Sequence, residues 1–282
     1  MNSNIIDRHE IHLSETHSNM IISGWGNDAF ENSVVERITY LSDGLKVKGY
    51  VAYPKDVSKK YPCVIWCRGG IGNKGAIDTF TARGIFGQLA SWGYCVFASQ
   101  YRGNAGSEGY DEVGGSDVND ILNLIPLADE ITQADKIIWG IEGWSRGGMM
   151  ALLTLRRYHN FKCAVLVGAI SNVRDYANNN PNLKSYYENL ISVEKLEQEL
   201  QKRTAINFVN ELPKIPYLII HGAEDNTVSP SQSVGLAEKF KELKIPHELV
   251  LPDNGDHFLR KNRKEVDELR KNWYMRYLMK RA

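Results

Sequence analysis

The chain has 282 residues, 43% of them hydrophobic, which suits one large domain with a substantial core. Lys+Arg and Asp+Glu number 34 each, so the formal net charge is zero, and nothing in that balance calls for nucleic acid or an anionic membrane as a partner. No apolar run approaches the ~20 residues of a membrane-spanning helix, and the N-terminus lacks a basic stretch followed by an apolar one, so the expected compartment is the cytoplasm.

Residues 1 to about 33 are polar and weakly patterned, and read as a loose or helical N-terminal extension. ERITYLSDGLKVKGYVAYP follows, two β-rich runs flanking Ser42-Asp43-Gly44, which predicts a hairpin. YPCVIWCRGG is a continuous apolar run ending in glycines, the pattern of a strand buried on both faces. TARGIFGQLASWG has helical spacing and stops at Gly93; YCVFASQYRG reads as a strand; GGSDVNDILNLIPLADE reads as a helix with Ser116 or Asp117 near its N-cap. KIIWGIEGWS and CAVLVGAIS are predicted strands around the helix GGMMALLTLRRY. PYLIIHG and PHELVLPDN are the last two strands, SQSVGLAEKFKEL is the helix between them, and RKNRKEVDELRKNWYMRYLMK closes the chain as an amphipathic helix. Such alternation predicts a mostly parallel central sheet with helices on both faces. One segment interrupts it: about residues 172–212, polar and Asn-rich with a helical core at SVEKLEQELQKR, predicted to be a small helical cap insertion. Cys63, Cys67, Cys95 and Cys163 all lie in or beside apolar runs without metal-knuckle spacing, and read as buried, reduced thiols.

The strongest chemical signal is Gly143-Trp144-Ser145-Arg146-Gly147, placed directly between a strand and a helix. That context is the nucleophile elbow, in which a serine sits on a sharp turn at a helix N-terminus and small flanking residues avoid clashes. A serine hydroxyl needs a base, and in this fold a carboxylate and then a histidine follow it in the chain, on loops after strands. Asp225, after PYLIIHG, and His257, after PHELVLPDN, meet that order. Among the rivals, His221 at a strand end reads as packed, His247 precedes a strand, and His159 follows a helix on the far side. Glu224 should point away from the site, and Asp253 and Asp256 are too near His257 in sequence to buttress it easily. An oxyanion needs backbone donors. The amide of Arg146 is the expected first donor and that of Gly70, with Ile71 as its alternative, the expected second; the glycines at 69 and 70 could instead serve only the turn.

The stretches CRGG at 67–70, YRGNAGSEGY at 101–110, GGSDVNDI at 114–121, GWSRGGMMALL at 143–153, IIHGAEDNTVSPSQS at 219–233 and GDHF at 255–258 together resemble the catalytic domain of the prolyl oligopeptidase family of serine peptidases, in the family's order over roughly residues 35–275. The resemblance implies an α/β-hydrolase fold and the triad Ser145, Asp225, His257. It also implies that Tyr101-Arg102-Gly103 lies beside the active site, with Arg102 expected to tie its loop to Asp117 or Asp120. Two departures stand out. Arg68 occupies the place where the family usually has a histidine before its two glycines, which would alter the wall of the site. Only about 35 residues precede the first hairpin run, where classical members carry a large β-propeller that filters substrates.

The reading is therefore an N-terminal extension over 1–33 and an α/β-hydrolase catalytic domain over 34–282. Its expected activity is acyl transfer through an acyl-enzyme, as a peptidase on short peptides or acylated amino acids, with a carboxylesterase on small esters and a non-catalytic binding protein as the alternatives. No cofactor and no metal is expected, and the expected partner is a small-molecule or short-peptide substrate, not nucleic acid or membrane. Trp273, Tyr274, Tyr277 and Leu278 are expected to pack on the sheet, though a role in a homo-oligomer is the alternative.

Overall fold

A computed structural model describes residues 4–279; residues 1–3 and 280–282, the outer ends of the two segments read from the sequence, lie outside the described residues. The chain divides into two compact units, one running to Gly140 and the other from Ile141.

The first unit opens with β1 (Ile5–Glu10), α1 (Glu15–Trp25) and α2 (Asn27–Glu31). The expected hairpin follows as β2 (Ser33–Ser42) and β3 (Leu45–Pro54), paired antiparallel from Ser33↔Pro54 to Ser42↔Leu45, with Asp43 and Gly44 at positive φ in the turn. β4 (Tyr61–Cys67) is buried at every position, as its uninterrupted apolar run requires. α3 (Thr79–Ser91) begins at Asp78, whose carboxylate accepts from the Thr81 amide, and is followed by β5 (Cys95–Ser99). The strand order is β1-β2-β3-β5-β4: antiparallel through β3–β5 and parallel for β4–β5. α3 packs on β2 and β3, with Phe86 against Tyr50 and Trp66.

Two expectations change here. The N-terminal extension is not simply loose or helical: β1 pairs with β2 from Ile5↔Tyr40 to Glu10↔Glu36. Only Ile5 of its six residues is buried, so this edge strand has no alternation to reveal it. The long helix predicted over residues 114–130 is instead α4 (Val118–Leu122) followed by a separate 3-10 turn, Ile125–Glu130. Pro126 cannot donate to a continuing helix. Asp117 does not cap with its side chain, which accepts instead from the amides of Gly114 and Gly115.

β6 (Ala134–Trp144) leads into the second unit, where α5 (Arg146–Arg157), β7 (Phe161–Val167), β8 (Tyr217–Ile220), α9 (Ser231–Glu242), β9 (His247–Val250) and α10 (Arg263–Tyr274) form the next layers. β7, β8 and β9 are parallel neighbours in that order. The insertion between β7 and β8 contains α6 (Val173–Asn179), α7 (Pro181–Leu190) and α8 (Val193–Arg203), three helices where the sequence showed one clear core. Asn172 and Asn180 cap the first two, so the Asn-rich composition that reads as irregular in sequence supplies helix starts. Trp273, Tyr274 and Leu278 are buried, so the terminal aromatic cluster packs inward. All four cysteines are buried free thiols. No helix among the described residues is long and apolar enough to cross a membrane.

Candidate active site

Ser145 sits between β6 and α5 with φ 56° and ψ −123°, a backbone conformation that non-glycine residues rarely adopt. The turn is held by its own amide, which donates to the Val167 carbonyl (2.8 Å), and by its carbonyl, which accepts from the Gly148 amide (2.9 Å). Gly143 is required by close approach: a Cβ there would lie 2.1 Å from the carbonyl oxygen of Gly147. Gly143→Ala must therefore open the turn. We expect its hydrolytic rate to fall at least ~100-fold, the effect of misplacing a reacting group by about an ångström, in a steady-state assay of folded protein. Retention of full activity would show that the turn tolerates opening.

The acid and base arrive on loops after β8 and β9. Gly222 lets these loops touch, since a Cβ there would lie 2.3 Å from the carbonyl oxygen of Gly255. The Ala223 amide donates to the Pro252 carbonyl (3.1 Å) and the Glu224 amide to the Gly255 carbonyl (3.0 Å). His257 is thereby placed with Nδ1 2.7 Å from Oδ2 of Asp225 and Nε2 3.1 Å from Oγ of Ser145. The three residues expected from the sequence thus form one hydrogen-bonded chain.

Asp225 is buried, and its Oδ1 accepts from the amides of Thr227 (2.8 Å) and Val228 (2.9 Å). Burial alone would raise its pKa, but hydrogen bonds from His221, His257 and the Val228 amide hold it far below the usual carboxylate range. The carboxylate therefore stays ionised wherever an imidazole ordinarily titrates. With Asp225 ionised and facing Nδ1, that nitrogen carries the ring hydrogen and Nε2 faces the hydroxyl as an acceptor.

Among the rivals, His159 is exposed with Nε2 3.2 Å from the Arg156 carbonyl oxygen, and the Nδ1 of His247 lies 2.9 Å from that of Ile245. Glu224 is exposed; Asp256 accepts from the Arg260 amide (3.0 Å). His221 is fully buried as expected, but it also reaches the site: its Nε2 is 3.2 Å from Oδ2 of Asp225. Its place at a strand end, four residues before Asp225, is the signal that the sequence offers for this.

Arg146 is the first residue of α5, directly after Ser145. Gly70, in the first unit, has φ 73°, and a Cβ there would meet Cα of Gly75 at 2.5 Å, so this glycine makes a tight turn. Arg68, where the family usually has a histidine, turns into its own unit. It is buried, donates through Nε (2.9 Å) and a terminal nitrogen (2.8 Å) to the Gln100 carbonyl, and lies over the Tyr101 ring. Arg102 ties its loop to Asp120, the second of the two acids considered, with contacts from 2.8 Å, and also to Asp43 at 2.8 Å.

The insertion approaches the acid. The carbonyl oxygen of the Gln232 side chain accepts from the amides of Ser171 (3.0 Å) and Asn172 (2.7 Å), fixing the insertion's first turn to α9. Burial, with the Asp225 charge adding to it, pushes the phenol of Tyr176 on α6 upward. Phe258 is 63% exposed and packs edge-on against the His257 ring at 5.4 Å between centroids.

The model of the prolyl oligopeptidase family matches residues 82–280. A Bacillus subtilis protein named uncharacterized peptidase YtmA is 33% identical over 237 residues, 82% of this chain and 90% of that protein. Mouse prolyl endopeptidase FAP is 24% identical over 220 residues, 74% of this chain but 28% of that protein. Among solved structures, uncomplexed acylaminoacyl peptidase from Pyrococcus horikoshii matches with a TM-score of 0.76 at 23% identity, covering 94% of this chain and 44% of that one. This chain spans less than half the length of the last two, and the structural likeness gives the α/β-hydrolase fold.

Proposed function

This chain belongs to the prolyl oligopeptidase family and is a serine peptidase, and on that premise we propose that Ser145, His257 and Asp225 are its catalytic triad, acting on short peptides or acylated amino acids. The observation that carries the proposal is the relay itself, 3.1 Å from Ser145 to His257 and 2.7 Å from His257 to Asp225, at a strained elbow. Oγ of Ser145 attacks the scissile carbonyl carbon while Nε2 of His257 takes its proton. The proton passes to the leaving amine as the carbon–nitrogen bond breaks, leaving an acyl-enzyme. Water then attacks with His257 again as base, and Ser145 regains its proton. Asp225 fixes the imidazole tautomer and stabilises the imidazolium without taking the proton. The Arg146 amide is the proposed first oxyanion donor, and Gly70 stays the second by its place in the glycine loop after β4.

The substrate class is supported by the relatives' names, an acylaminoacyl peptidase among them, and by the exposed Phe258, which offers an apolar wall beside the proton donor to the leaving group. We propose the cytoplasm as the enzyme's compartment, where buried cysteines outside any disulfide are usual, and neither nucleic acid nor membrane as a partner, given zero formal charge. The test compares kcat/KM for an ester and an anilide that share one acyl group. Peptidase activity predicts rates within about tenfold of each other, a barrier difference of roughly 1.4 kcal/mol. Cleavage of the ester alone would make the chain an esterase on this scaffold and overturn the substrate assignment.

A further inference from the structure

His221 directly follows β8 and is fully buried, yet the triad chemistry does not use it. Its Nδ1 lies 2.7 Å from the hydroxyl of Ser233, and its Nε2 lies 2.8 Å from the carbonyl oxygen of Val228 and 3.2 Å from Oδ2 of Asp225. Two oxygens that can only accept face Nε2, so this nitrogen carries the ring hydrogen. Ser233 is itself fully buried, and its hydroxyl hydrogen is satisfied by donating to Nδ1. The network therefore assigns one tautomer, with a single N–H shared between the Val228 carbonyl on its shorter branch and the Asp225 carboxylate on its longer one. Oδ2 of Asp225 is the same oxygen that His257 approaches at 2.7 Å.

We propose that His221 is a positioning residue for the catalytic carboxylate: from behind the triad it holds Oδ2 of Asp225 toward His257, and through Val228 it closes the loop whose amides bind Oδ1. The inference rests on the triad reading above. It accounts for the orientation of Asp225 on an irregular loop after a strand. Each carboxylate oxygen is met by two nitrogens, Oδ1 by the amides of Thr227 and Val228 and Oδ2 by the two imidazoles. The titratable groups that face this carboxylate are His221 from the loop start after β8, His257 from the loop after β9, and Tyr176 from α6 of the insertion. Ser233 is fixed in turn: it follows Gln232, the residue that anchors the insertion.

The test uses the full chain, with the ester of the preceding section as probe, and compares His221→Leu with His221→Gln. Leucine removes the donor; glutamine places an amide N–H near the position of Nε2. His221→Leu is expected to lower kcat by roughly tenfold to a hundredfold, the usual effect of removing a residue that orients a site group, with KM unchanged. Losing one donor leaves Asp225 a stronger acceptor toward His257. The acid limb of kcat/KM is therefore expected to move to higher pH in His221→Leu, and to return toward the wild-type position in His221→Gln along with most of kcat. A loss of kcat with the acid limb unmoved would make His221 merely structural and overturn the proposal, as would wild-type kcat in His221→Leu. If the leucine variant does not fold, nitrogen-15 NMR of the wild type decides: a hydrogen on Nε2 of His221 supports the assignment, and an unprotonated Nε2 overturns it. Labelling of Ser145 by a fluorophosphonate in wild type separates the two levels, since its failure would bring down the triad itself, whereas success with an unmoved acid limb removes only His221.

Discussion

Ser145→Ala is expected to lower kcat/KM for any cleaved ester or anilide by about 10^5- to 10^6-fold, the scale on which loss of a triad nucleophile acts. What remains should be a weak acceleration over water from the oxyanion donors and substrate binding, which do not depend on Oγ. The variant should also lose fluorophosphonate labelling while keeping its fold. Oγ meets His257 at 3.1 Å, and the backbone bonds of the turn, to Val167 and from Gly148, do not involve the side chain. The strained φ of 56° belongs to the main chain, so alanine inherits it. Ser145→Gly, equally inactive, should relieve part of that strain, which costs of order 1–3 kcal/mol, and should unfold at a higher temperature than Ser145→Ala. Wild-type turnover in Ser145→Ala would sink the mechanism. Equal unfolding temperatures for the two variants would show that the elbow stores little strain.

The parts of this molecule that are legible in its sequence are those where one residue type has one physical use. A serine flanked by glycines between a strand and a helix has few uses besides nucleophilic attack, and Asp225 and His257 follow from chain order and strand ends. Long-range partners are not legible. The pairing of β1 is hidden because an edge strand exposes both faces, and Ile5 is its only buried residue. The break after α4 turns on Pro126, which a helical pattern on either side disguises. Arg68 stands where the family has a histidine, and the sequence does not show that its guanidinium donates to the Gln100 carbonyl. His221 reads as packing, which is true, but sequence alone does not show that its Nε2 reaches Asp225.

Glu142→Leu is expected to be the most damaging substitution away from the triad. Glu142 lies three residues before Ser145 near the end of β6 and is fully buried. Its carboxylate accepts from Nε1 of Trp144 (2.5 Å), from the Arg270 guanidinium (2.8 Å) and from the Tyr274 hydroxyl (2.6 Å). Trp144 is reached because residues two apart on a strand share a face, and the other two donors come from α10, so this one carboxylate ties the C-terminal helix to the strand that presents the nucleophile. Leucine fills the volume but leaves a buried guanidinium, a buried phenol and an indole without it. Breaking a buried ion pair on one side costs about 3–5 kcal/mol, which for a unit of this size lowers the unfolding midpoint by roughly ten degrees. Arg270→Met should cost a similar amount for the mirror-image reason. The double variant is the informative one: with both charges gone no unpaired charge of the pair stays buried, only the Tyr274 hydroxyl and the Trp144 indole without their acceptor, and replacing a buried ion pair whole is often neutral, so Glu142→Leu with Arg270→Met should unfold above either single variant. Thermal midpoints by calorimetry test this. A double variant whose loss equals the sum of the two single losses would mean that the pair does not act as a unit, and that α10 is held by its apolar face alone.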